Sequence, residues 1–417
     1  MVFPNELTIK SQFKLKEGIE EMKKELTYAL ITPYSLLKSR TGGIICRLLS
    51  LSDLELVGAR MYTPSDKFLD EYIKTIETQK MKAVWKKTMI DYVNNMLRKN
   101  NKLGMKNRAM LLLFEGKNAV DVLHNKVIGS ASGPLRGDTI RGTFGDTIVS
   151  EDGKVDYFEP AVLTSADKAT NIKQLKLFAK YSLSDGGIME DVIAFGNNKK
   201  PETSLIILKP FEKHDPRAGN IISMLSRTGF YIVGIKLLDL STKQAEEFYG
   251  PVKDFFNSSF DDKFKPDLVG QLKTSLKQRD FSFELTDELL NNMAAQMKKP
   301  KVDTEFNSIL QYMTGSEPSA FAETKKTSDG KHTICIAILY QGIDTIKTIR
   351  ELLGATDPKK AKYSSIRRFY ALDIRKNAVH ASDSPKSVIR ERKIIGFNKD
   401  EKSCDIKQII NRYIKKS

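Results

Sequence analysis

Residues 25–65 read ELTYALITPYSLLKSRTGGIICRLLSLSDLELVGARMYTPS, and residues 202–241 read ETSLIILKPFEKHDPRAGNIISMLSRTGFYIVGIKLLDLS. Each stretch reads as an apolar strand, a proline-containing turn, a glycine-led amphipathic helix and a second apolar strand. Pro33 corresponds to Pro210, an offset of 177. Further on, AMLLLFEGKNAVDVL corresponds to ICIAILYQGIDTIKTI, and DTIRGTFGD to SSIRRFYAL. These segments pair Gly116 with Gly342 and Arg141 with Arg367 at an offset of 226. The growth of the offset places an insertion in the second copy between Tyr249 and Phe306.

A tandem repeat therefore organises the chain. The expected division is a first domain at 1–182, a linker at 183–201, and a second domain at 202–417 with an insertion at about 251–304. Short strands alternating with helices predict an α+β fold. Two tandem ferredoxin-like (split βαβ) antiparallel α/β sandwiches are expected. Ser241 with Gln244 reads as a capping box ahead of the helix that carries Tyr249. Trp85, Met89, Val93, Met96 and Leu97 fall at helical spacing and predict an amphipathic helix. The insertion contains Phe255, Phe256, Phe260 and Phe264, read as core residues, and a helix expected from Asp287 to Met297.

With 417 residues, 40% of them apolar and 9% aromatic, wholesale disorder is excluded. The longest apolar stretch, Ile334 to Tyr340, is strand-sized, so neither a transmembrane helix nor a membrane partner is expected. The opening MVFPNELTIK carries no charged leader ahead of an apolar run. Cys46, Cys335 and Cys404 lie too far apart for a metal motif, and a reduced, cytoplasmic protein is the expectation. The net charge of +16 resides in two windows, 80–108 and 358–393, each carrying +8. Such concentration points to polyanion contact: nucleotide phosphates, nucleic acid or an acidic surface.

Of four histidines (His124, His214, His332 and His380), only His380 has a dense polar setting, Asn377-Ala-Val-His380-Ala-Ser382-Asp383-Ser384-Pro385. Ser384-Pro385 is a helix start, with Ser as N-cap and Pro in the first turn. Glu391, eleven residues after His380, lies on that helix and can fold back to hold the imidazole. Neutral imidazole is a nucleophile near neutral pH, and a carboxylate on its second nitrogen sets its tautomer. Lys209, Arg350, Thr356 and Arg367 are candidates to converge on an anion. The combination suggests phosphoryl transfer, in which positioning and charge neutralisation carry most of the catalysis. No Walker loop, kinase glycine loop or His-Arg-Asp motif is present.

These residues resemble the nucleoside diphosphate kinase family, whose signature Asn-x-x-His-Gly-Ser-Asp-Ser is close to Asn377-Ala-Val-His380-Ala-Ser382-Asp383-Ser384. Also similar are Leu-Ile-Ile-Leu-Lys209-Pro210, the helix end with Tyr249, Lys-Thr-Ile-Arg350, Gly354-Ala-Thr356-Asp-Pro358 and Ser-Ile-Arg367. The resemblance implies that His380 becomes phosphohistidine, oriented by Glu391 and Ser382. It further implies that Lys209, Arg350, Thr356 and Arg367 hold phosphates, that Tyr249 positions Lys209, and that Asn377 binds the ribose. Phe306 and Ile309 would take the place of the residues that clamp the base. NTP and NDP are the implied substrates of a ping-pong reaction, with Mg²⁺ held mainly by nucleotide phosphates and water. Ala381 replaces the family's glycine, and Arg368-Phe369-Tyr370 replaces Gly-Asp-Phe in a loop used for oligomer contacts.

The first copy has Thr32 in place of Lys209. Its stretch Glu159-Pro-Ala-Val-Leu163-Thr164-Ser165-Ala-Asp167 lacks a histidine. It reads as a degenerate copy, a built-in pseudo-dimer partner, with residual nucleotide binding at Arg141 as a weaker reading. A homo-oligomer is the alternative assembly. Two other functions compete: a non-catalytic nucleotide-binding scaffold, and a nucleic-acid-binding protein using the 80–108 window.

Overall fold

The computed structural model describes residues 24–133, 136–190, 192, 200–210, 215–277, 279, 281–315, 334–399 and 404–416. Its first half holds strands β1 (Glu25–Ile31), β2 (Glu55–Tyr62), β3 (Ala109–Gly116), β4 (Asp146–Val149), β5 (Val155–Glu159) and β6 (Val162–Leu163). The second half holds β7 (Glu202–Leu208), β8 (Tyr231–Leu238), β9 (Cys335–Gly342) and β10 (Val379–Ala381). The main sheets run β2-β3-β1-β6 and β8-β9-β7-β10, entirely antiparallel. In each, the third strand lies between the first two, which is the split βαβ arrangement. The near-continuous apolar runs of β1, β3, β7 and β9 suit these central positions. The fold class is therefore α+β with two ferredoxin-like sheets in tandem.

The correspondence extends to detail. Both second strands carry a bulge at the same place, between Leu56 and Gly58 and between Ile232 and Gly234. The helices Thr41–Ser50 and Arg217–Ser226 pack on each other, β2 lies against β8, and one apolar core runs through both halves. A second apolar cluster lies within the latter half around Phe248, Phe306 and Leu310. The start of the expected linker is tightly held. Tyr62 bridges to Gly186, the Gly187 N–H donates to the Met61 carbonyl, and the Met189 N–H donates to the Val233 carbonyl. This segment thereby satisfies backbone groups on both edge strands. Residues 191 and 193–199 of that linker, and the histidines at 214 and 332, lie outside the described residues.

The inserted region is helical. The helix Thr242–Ser259, begun by the Ser241/Gln244 capping box, runs on through Pro251, followed by Lys265–Leu276, Asp287–Gln296 and Lys298–Thr314. Of its aromatics Phe260 is buried, whereas Phe256 and Phe264 are half-buried and Phe255 is 64% exposed. The expectation that all four are core residues is corrected, because a helical hairpin turns one face of its aromatics to solvent. The basic segment forms the helix Ala83–Tyr92 and a following π-helical turn, with Tyr92, Val93 and Leu97 buried. The last helix, Asp405–Lys416, crosses back to the first half and packs on β2 and the helix Lys168–Lys180. Among the described residues no helix is long and apolar enough to cross a membrane.

Candidate active site

His380 lies on β10 opposite Ile207 of β7. Its Nε2 is 2.9 Å from Glu391 Oε2, and the Ser382 hydroxyl donates to that same oxygen at 2.6 Å. Ser384 caps the helix Pro385–Ile394 by accepting from the Ser387 N–H, and Glu391 in its last turn points back under the imidazole. Glu391 is only 3% exposed. The rings of Phe248 and Tyr249 stand edge-on to the imidazole, with centroids at 5.0 and 6.1 Å. With Nε2 engaged by a carboxylate, Nδ1 is the ring nitrogen that keeps a lone pair.

Lys209, at the end of β7, is 8% exposed. Its backbone N–H donates to the Ala378 carbonyl and its Nζ to the Arg375 carbonyl at 3.1 Å. Burial, with Arg367 nearby, lowers its amine to about 8. Arg367 donates to the carbonyls of Gly354 (2.8 Å) and Val379 (3.1 Å). Burial and the charge of Arg350 lower its guanidinium to about 10. Arg350, exposed in the last turn of Thr345–Leu353, thus shares a field with Arg367, and Arg367 with Lys209. Thr356 lies exposed in the loop after that helix. Asn377 is buried, with its Nδ2 on the Ile374 carbonyl and its Oδ1 without a partner among the described residues.

Two expected roles do not match the geometry. Among the described residues the Tyr249 hydroxyl is buried without a hydrogen-bond partner, so it makes no bond to Lys209; its ring packs against His380 instead. Phe306 is 5% exposed in the cluster with Phe248 and Leu310, beneath Lys253 Nζ at 5.2 Å. The hairpin encloses Phe306, so neither ring face is open to a base; Ile309 beside it is half-buried. Sequence reasoning missed Arg390, which donates to the Glu247 and Phe248 carbonyls. It also missed Tyr312, over whose ring Lys209 Nζ stands at 6.0 Å. The residue next to Glu391 and the proline inside a helix were the available signals for Arg390.

The equivalent place in the first copy is occupied differently. Leu163 lies opposite Leu30 as His380 lies opposite Ile207, so an apolar residue takes the nucleophile's position. Ser165 bonds Gln174 where Ser382 bonds Glu391. Thr32, Tyr92 and the Ala161 N–H all donate to the Glu159 carboxylate, and burial raises its pKa. Arg141 is 3% exposed with its guanidinium on the Gly129 and Val162 carbonyls, which repeats the Arg367 arrangement. These bonds commit the Arg141 guanidinium to the backbone of its own copy. His124 is half-buried, lowered to about 4 by burial and by Arg141. Part of the first basic window is also internally committed: Arg98 pairs with Asp66 and Asp70, and Arg108 donates to the Ile232 carbonyl.

Among the described residues, no three His, Cys, Asp or Glu side chains cluster as a metal-binding set. The groups around His380 are mainly cationic, and Glu391 is already held by Ser382 and His380. That donor set fits a divalent cation carried in on phosphate oxygens rather than one held by the chain.

The second split βαβ sheet thus presents a carboxylate-held histidine on its edge strand, with buried Lys209 at the end of the adjacent strand. Residues 202–275 and 285–402 match the family described as "Nucleoside diphosphate kinase". This half of the chain belongs to the nucleoside diphosphate kinase family. The nucleoside diphosphate kinase of Carboxydothermus hydrogenoformans is 26% identical over 213 residues, covering 51% of this chain and 98% of that protein. That of Clostridium perfringens is 38% identical over 89 residues, covering 21% and 50% respectively. A crystal structure of an NDP kinase from Pyrobaculum aerophilum gives a TM-score of 0.31 at 23% identity, covering 48% of this chain and 98% of that one. The fold assignment rests on strand order and register, not on that superposition.

Proposed function

We propose that the second copy is a nucleoside diphosphate kinase that moves the γ-phosphoryl group of an NTP to an NDP through His380. The observation that carries this reading is the pairing of His380 Nε2 with the buried Glu391 carboxylate, which leaves Nδ1 free. The Nδ1 lone pair attacks the γ-phosphorus, the bond to the bridging β–γ oxygen breaks, and NDP departs. A second NDP then takes the phosphoryl group from Nδ1 by the reverse displacement. Lys209, Arg350 and Arg367 offset charge on the phosphate oxygens, Thr356 donates to a phosphate oxygen, and Asn377 lies beside Lys209 on the sugar side. Mg²⁺ carried in with the nucleotide would supply further charge neutralisation.

The first copy, with Leu163 for His380 and Glu159 at its would-be phosphate position, serves as a non-catalytic partner packed onto the active copy. Transfer of labelled γ-phosphate from ATP to the wild-type protein, followed by a GDP chase, tests the kinase reading. Acid-labile label released as GTP, and absent from His380→Ala, is the expected result. An unlabelled wild-type protein that still binds nucleotide would instead favour the scaffold.

A further inference from the structure

The helix Thr242–Ser259 contains Pro251 in its interior. Proline has no N–H, so the carbonyl four residues earlier, that of Glu247, loses its helical donor. Arg390 supplies a replacement. Its Nη1 donates to the Glu247 carbonyl at 3.1 Å and to the Phe248 carbonyl at 3.3 Å, and its Nη2 to the Phe248 carbonyl at 3.3 Å. The same Nη2 stands 3.5 Å from Glu391 Oε1, the carboxylate oxygen that neither Ser382 nor His380 uses. Phe248, whose carbonyl anchors the guanidinium, also presents its ring edge-on to His380. One side chain therefore joins the aromatic wall of the imidazole to the carboxylate beneath it.

We propose that Arg390 is a positioning residue for phosphotransfer. By tying the carbonyls at the Pro251 break to Glu391, it holds the carboxylate on His380 Nε2 and so fixes the tautomer that leaves Nδ1 to attack. The proposal rests on the kinase reading. Arg390 reaches the reacting atoms only through Glu391. Its guanidinium fork matches two acceptors at once, which an ammonium does not. Without it, the buried Glu391 lacks its permanent cation and two helix carbonyls lose a donor, so the carboxylate is free to turn away from the ring.

The test compares wild type, Arg390→Met and Arg390→Gln in the full chain. Three quantities are followed: single-turnover formation of acid-labile phosphoenzyme from ATP with Mg²⁺, ADP affinity, and the His380 tautomer by ¹⁵N-histidine NMR. We expect Arg390→Met to slow phosphoenzyme formation by about 10- to 100-fold, the scale of a small misplacement of reacting groups. ADP affinity should stay within about twofold of wild type, because no phosphate contact is removed. The Nε2–H tautomer, dominant in wild type, should become mixed. Arg390→Gln keeps an amide donor for the Glu247 carbonyl but not the cation. It decides the matter if the Met variant does not fold, and should show the same tautomer mixing with a smaller rate loss. Wild-type rate and tautomer in the folded variant would overturn the proposal. So would equal losses of rate and ADP affinity, which mark a general structural role. A wild-type protein that forms no phosphoenzyme would instead overturn the kinase reading itself.

Discussion

Lys209 is buried within reach of Arg367, and its amine is lowered to about 8. A phosphate ligand favours the charged amine, so above pH 8 the free protein carries fewer protons there than the complex does. Affinity for ADP should therefore be level below about pH 8 and fall as pH rises beyond it, by up to about tenfold per unit. Titrating ADP from pH 6.5 to 9.5 checks this; Lys209→Met should bind weakly and lose the slope, and an unchanged slope would refute it. In the first copy, Glu159 accepts from Thr32, Tyr92 and the Ala161 N–H. Glu159→Ala leaves buried donors unpaired, at about 1–3 kcal/mol each, and should lower the melting temperature by several degrees. The grouping of His380 with Glu391 and Ser382 was legible because these are polar types at fixed spacing. Tyr249 and Phe306 were misjudged because spacing does not reveal which way a ring faces once a hairpin packs over it.

At the scale of elements, capping signals were reliable. Ser241 with Gln244, and Ser384 with Pro385, start their helices as their local chemistry requires. The Asp405–Lys416 helix went unremarked, because its main packing partners, β2 and the helix Lys168–Lys180, lie far away in sequence. Ile406 and Ile410 are fully buried by crossing to β2 and the helix Lys168–Lys180. Truncation after residue 403 removes two buried isoleucines, roughly 3–6 kcal/mol of transfer free energy as an upper figure. Urea unfolding should show a lower midpoint and an aggregation-prone protein as apolar surface is uncovered. An unaltered midpoint would mean that this helix does not hold the two halves together.

At the scale of the molecule, the two copies meet through a near two-fold contact. A Cβ on Gly42 would collide with Ser223 and the Gly219 carbonyl, and one on Gly219 with Cys46 and the Gly42 carbonyl. Both residue pairs, Gly42 with Gly219 and Cys46 with Ser223, are related by the repeat offset of 177, so the contact is self-complementary in the manner of a symmetric dimer. Gly42→Val should force these helices apart, at a cost of about 1–3 kcal/mol or more, and split thermal unfolding into separate transitions. Gly250→Ala, where a Cβ meets nothing, is the control. A single unshifted transition in calorimetry would show that the copies are stable independently of this contact.

The repeat, the split βαβ order and the histidine motif were determined by the sequence, because periodicity, turn residues and motif spacing are local properties of a chain. Only the tertiary structure decided which nitrogen of His380 is held, that Arg141 and Arg367 are pinned by carbonyls, and that Glu159 occupies the first copy's site. These depend on hydrogen bonds between residues distant in sequence, and on which side chains lose their water when two sheets and a helical hairpin close around them.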